Sequence, residues 1–77
     1  MQVTDYFQNK VMLKRPFLRV EWIEKILENP VKIEYQIEDN RIRYWGYVEE
    51  LGKYLRVVTL GDGKTVHNAF PDRDFKE

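Results

Sequence analysis

Between Val31 and Glu38 apolar and polar residues alternate without a break. Val31, Ile33, Tyr35 and Ile37 fall on one side, Lys32, Glu34, Gln36 and Glu38 on the other. A period of two marks a half-buried strand, here residues 31–38. Asp39-Asn40 tolerates positive φ and reads as a two-residue hairpin turn. That turn sets Glu38 opposite Arg41, Gln36 opposite Arg43 and Glu34 opposite Trp45. A second strand, 41–48, continues the alternation, with Ile42, Tyr44, Gly46 and Val48 on one face and Arg41, Arg43, Trp45 and Tyr47 on the other. A loop containing Gly52 leads to a third strand, 54–60. Gly61-Asp62-Gly63-Lys64 is the clearest turn signal in the chain, and a fourth strand, 65–70, ends at Pro71. Pairing around Asp62-Gly63 puts Val58 opposite His67, Val57 opposite Asn68, Arg56 opposite Ala69 and Leu55 opposite Phe70.

Upstream of Asn29-Pro30 the period changes. Phe7, Val11 and Met12 approximate a helical stripe behind a Thr4 cap, and Pro16 stops it, giving a helix over about 4–14. Val20, Ile23, Ile26 and Leu27 recur at spacings of three and four, with Glu21, Glu24, Lys25 and Glu28 on the other side, which predicts a second helix over about 18–28. The fold class expected is α+β: two N-terminal helices packed on one face of a four-stranded antiparallel meander sheet, in a single domain over residues 1–77. The open face would then carry Arg41, Arg43, Trp45, Tyr47, Tyr54, Arg56, Val58 and His67. A slip of one residue moves a whole strand to the wrong face, so this set depends on the two turns.

Composition narrows the chemistry. The 13 basic residues balance 13 acidic ones, which argues against a free, nonspecific nucleic-acid binder, since such affinity comes from basic groups displacing counterions. There is no cysteine and one histidine, so neither a disulfide scaffold nor a usual zinc site is expected, and no cofactor is called for. No apolar run approaches a membrane span and no signal peptide is evident, so a cytoplasmic protein without a membrane partner is expected.

The Arg and aromatic face is the main candidate for function. RNA cleavage without a metal needs cations for the phosphate and groups that move protons. Arg43 and Arg56 suit the first task. His67 is the one side chain that titrates near neutrality, and so the natural acid or base. Trp45, Tyr47 and Tyr54 suit base stacking, and Arg41 extends the basic edge. The plainer reading is cross-strand pairing, with Arg41 on Glu38, Trp45 stacked on Arg56 and His67 as one polar strand residue. His67 and Asn68 are strand neighbours and point to opposite faces, so they do not form a pair, and Asn68 reads as a buried amide bonded to backbone. Asp72-Arg73-Asp74 reads first as a solvated tail, with a local salt bridge or the edge of a site as the alternatives.

ILENP closing the second helix, followed by RIRYWG, KYLRVVTL and a last short strand, resembles a family of small bacterial domains similar to the RelE and BrnT toxins. The resemblance runs from about Val11 to Phe70. It implies the barnase–EndoU–colicin–RelE type of ribonuclease fold and a toxin-type endoribonuclease neutralised by an antitoxin protein. It also implies that Arg43 of RIRYWG and Arg56 of YLRVV are the strand arginines of the site, with His67 on the last strand, where related toxins place a catalytic side chain. The alternative is a non-catalytic module of the same fold that binds a protein, an antitoxin or a second copy, through the Arg and aromatic face, because Trp, Tyr and Arg dominate binding hot spots.

Overall fold

The computed structural model describes residues 1–77. Thr4 starts the first helix. Its hydroxyl accepts the Phe7 amide at 3.1 Å and its carbonyl accepts the Gln8 amide, satisfying donors that a helix start leaves free. This helix, α1, covers residues 5–14; its middle, Phe7–Val11, is π-helical and supplies the two buried side chains, Phe7 and Val11. Arg15, before Pro16, has left the helical region. The second helix, α2, is Val20–Glu28 and buries Ile23 and Ile26. Val20 is exposed, and Leu18, just ahead of the helix, is buried in its place.

Four strands follow: β1 Lys32–Gln36, β2 Arg41–Val48, β3 Lys53–Leu60 and β4 Val66–Pro71. They form one antiparallel sheet in the order β1-β2-β3-β4, so the fold is α+β. Phe7, Val11, Leu18, Ile23 and Ile26 share one apolar cluster with Tyr44, Val48, Leu55, Val57, Val66 and Ala69.

Two registers differ from expectation, with different consequences. Ile37–Asp39 winds into a 3₁₀ turn and only Asn40 takes a left-handed conformation, so the first hairpin loop is longer than two residues. Gln36 therefore faces Arg41, Glu34 faces Arg43 and Lys32 faces Trp45. A shift of two residues leaves every side chain on its expected face.

In the last hairpin the turn behaves as expected near its tip, with Thr59 opposite Val66. A bulge then inserts His67, and Val58 faces Asn68, Val57 faces Ala69, Arg56 faces Phe70 and Leu55 faces Pro71. This shift of one exchanges the faces. An unbroken strand would press the Asn68 amide into the core beside Val57. The bulge puts the small Ala69 there and moves Asn68 and Phe70 to the opposite side. Asn68 keeps a backbone partner, accepting the Ala69 amide at 2.9 Å.

Candidate functional site

The chain does not stop at Pro71 but turns back over the sheet. The Asp72 amide donates to the Tyr54 carbonyl at 2.9 Å, which extends the β3–β4 pairing by one residue. Asn68, Phe70 and Asp72 thus alternate on the face that carries Arg56. There the Asp72 carboxylate oxygen Oδ2 accepts three hydrogen bonds: from Trp45 Nε1 at 2.9 Å, Arg56 Nε at 3.1 Å and Arg56 Nη2 at 2.9 Å. Its Oδ1 accepts the Asp74 amide. Asp72 is 8% exposed, so it belongs to the interior and not to a solvated tail. Burial by itself raises its carboxyl pKa. The Trp45 indole and the Arg56 guanidinium outweigh burial and hold it below the ordinary carboxylate value.

Trp45 consequently has no ring face free for a base. Phe75 stacks on it with centroids 5.1 Å apart and planes 12° from parallel, and the Arg56 guanidinium lies 5.4 Å from its centroid. Trp45 is buried. Arg56 also lies over the Phe70 ring, and Arg15 approaches that ring at 5.6 Å, so the segment after α1 borders this face. The plainer reading of Trp45 and Arg56, a stacked cross-strand pair, describes their geometry, with Asp72 added as the group that fixes both. Tyr54 packs edge-on against Phe75 and Tyr47, and its hydroxyl donates to Glu77, whose bond and charge raise the Tyr54 pKa. Of the aromatic candidates Tyr47 is the exposed one.

Arg43 is also occupied. Its Nε donates to Gln36 at 2.7 Å and its Nη1 to Glu34 at 3.1 Å. Arg41 has Gln36 opposite it on β1 and forms no salt bridge, so the expected pairing with Glu38 is not formed. His67 sits in the bulge, released from strict alternation. Its Nδ1 lies 3.0 Å from the Thr4 hydroxyl and its ring stacks on Tyr6 at 4.8 Å. The Thr4 hydroxyl also accepts the Phe7 amide, so it ties the His67 ring to the start of α1. Burial lowers the His67 pKa, and the Arg41 charge lowers it further. The structure thus gathers Trp45, Tyr54 and Arg56 around Asp72, and places His67 with Thr4, Tyr6 and the charge of Arg41. Arg43 stands apart on the β1 side.

Sequence reasoning placed Asp72 first in a solvated tail and named no partner for it. The signal was present: an acid two residues beyond Phe70 continues the strand alternation toward Arg56, once the bulge is known. It also expected the apolar residues of the first strand to be covered. Instead Val31, Ile33, Tyr35 and Ile37 are 48, 57, 54 and 75% exposed. Ile33 faces Tyr44 and Tyr35 faces Ile42 across β2, yet nothing lies over them except the bond from the Tyr35 hydroxyl to Asn40. A surface depression of about 730 Å³ lies away from His67 and Arg56. Trp22, Ile26, Val31 and Tyr47 are among its lining residues, so it adjoins the start of this apolar row.

No three His, Asp or Glu side chains are placed to share a metal ion, and no helix is long and apolar enough to cross a membrane. No protein-family model matches the chain, and no curated protein or solved structure matches it.

Proposed function

We propose that the chain is a protein-binding domain that works through the free edge of its sheet at β1, with both N-terminal helices covering one face as in RelE- and BrnT-like folds. One observation carries this reading: Val31, Ile33 and Tyr35 expose three large apolar side chains in a row along an edge strand, and Ile37 is exposed in the turn that follows. Exposed apolar surface concentrated in one place, beside unpaired backbone donors and acceptors, is characteristic of a binding site. The Arg and aromatic face suits this role less well, because Trp45, Arg56 and Tyr54 already hold the chain's own C-terminal residues.

A photoreactive phenylalanine analogue in place of Tyr35 tests the proposal in cells. It is expected to cross-link to protein, while the same analogue at Leu13, on a different exposed surface, is not. Adducts from Leu13 or Tyr47 with none from position 35 would move the binding surface elsewhere.

A second reading keeps the metal-independent, toxin-type endoribonuclease of the cytoplasm, neutralised by an antitoxin. His67 is the observation that favours it. Its imidazole is held neutral by burial and by Arg41, as a general base requires, and Arg41 is a cation without an acidic partner that suits a phosphate.

A further inference from the structure

We infer that the occupant of the β1 edge is a second copy of this chain, paired antiparallel so that Ile33 of each copy lies at the two-fold axis. This inference rests on the edge-binding reading above and specifies its partner. The two edges of the sheet are not equivalent. On β4, residues 2–4 run alongside the outer edge: Val3 bridges to Val66, the Val66 amide donates to the Gln2 carbonyl, and the Thr4 amide donates to the Val66 carbonyl. β1 has no such cover.

The sequence of β1 is complementary to itself in one register. With Ile33 opposite Ile33 of the second copy, Lys32 faces Glu34 of the second copy, and Glu34 faces its Lys32. Opposite charges directly across strands are favourable, and like charges are not. On the other face Val31 meets Tyr35 and Tyr35 meets Val31, so every pair there joins two of the exposed apolar side chains. The neighbouring registers of the same parity fare worse. Centring on Glu34 sets the two Glu34 carboxylates against each other. Centring on Tyr35 brings Lys32 to Glu38, but Glu38 lies in the 3₁₀ turn and is not extended. Glu34 is already positioned by Arg43 at 3.1 Å, so its carboxylate keeps one cation within its own sheet and meets a second across the axis. An isologous contact of this kind closes on itself as a dimer and exposes no new edge at β1.

Sedimentation of the purified full chain is expected to show a concentration-dependent species of twice the 9.4 kDa chain mass. Lys32→Glu and Glu34→Lys each place like charges at both cross-axis pairs and are expected to weaken dimerisation at least about tenfold. Mixed together they restore opposite charges, and the heterodimer is expected to form. The chain contains no cysteine, so single cysteines report the register. Ile33→Cys is expected to form an intermolecular disulfide with oxidised glutathione, because directly opposed strand residues lie within disulfide reach. Tyr35→Cys is expected not to. A wild-type chain that stays monomeric throughout its soluble range overturns the dimer. If position 35 still cross-links to another protein in cells, the edge-binding reading survives that failure. A dimer that cross-links through Tyr35→Cys and not Ile33→Cys overturns the register.

Discussion

Replacing Asp72 with alanine is expected to destabilise the domain by about 2–4 kcal/mol and to free the C-terminal residues from the sheet. One carboxylate oxygen accepts the Trp45 indole and two guanidinium hydrogens of Arg56, and the substitution leaves all three donors without it. Trp45 is buried in the native fold, and its N–H loses its side-chain acceptor. The Arg56 side chain is a quarter exposed and recovers part of its solvation, which places the loss below the upper range for a broken buried ion pair. A domain of this length has a total stability of about 4–12 kcal/mol, and a loss of about 2–4 kcal/mol lowers its melting temperature by roughly 8–32 °C. Thermal unfolding followed by circular dichroism reads the loss, and a red shift of tryptophan emission reads the departure of Phe75 from Trp45. Asp72→Asn retains an acceptor but no charge and is expected to fall between the two.

The same contact sets a pH dependence. The folded pKa of Asp72 lies below its unfolded value of about 3.9, so its contribution is fully present above that value and lost as pH falls through the folded pKa. The stability gap between wild type and Asp72→Asn is therefore expected to narrow below about pH 4. Asp62, lowered to about 2 by the Thr65 hydroxyl and the Thr65 and Lys64 amides, titrates in both proteins and cancels in the comparison. A gap that stays constant from pH 7 through acid would show that the carboxylate is not what holds Trp45 and Arg56.

Gly46→Ala is expected to cost about 1–3 kcal/mol, against the strand preference that would favour alanine. A Cβ at Gly46 would lie 2.6 Å from Ile26 Cγ1 and 3.3 Å from both its Cβ and Cδ1. Those atoms belong to a buried side chain of α2 and include its branched Cβ, which cannot move without shifting the helix. The glycine is therefore present for the close approach of helix to strand. Pairing Gly46→Ala with Ile26→Ala is expected to lose less than the sum of the two single changes, because the second removes the clashing Cγ1. Strict additivity in denaturant unfolding would mean that Ile26 is not the limiting contact.

The elements were legible because their periods are strong. The alternation of 31–38 and 41–48, the Asp62-Gly63 turn and the spacing of Ile23 and Ile26 all report local preferences, and the elements follow them. What escaped was decided at longer range. The His67 bulge carries no turn residue or glycine. It follows from the cost of burying Asn68 where Ala69 fits, which only the packed core imposes. Asp72 looked like tail because charged residues after a terminal Pro71 usually are; its partners, Trp45 and Arg56, lie 27 and 16 residues away in sequence. The first strand misled in the other direction. Alternation shows that Val31, Ile33, Tyr35 and Ile37 form one row, but not whether this chain or a partner covers it.

On the proposed reading, the Arg and aromatic face is consumed within the chain and the β1 edge is the working surface. Cleavage of RNA by the purified chain without divalent metal, beside His67→Ala and Arg56→Ala variants checked for folding, tests it most directly. No cleavage by wild type beyond that of either variant is expected on this reading. Cleavage by wild type that both folded variants lose would contradict it and establish the ribonuclease, with His67 and Arg56 in its site.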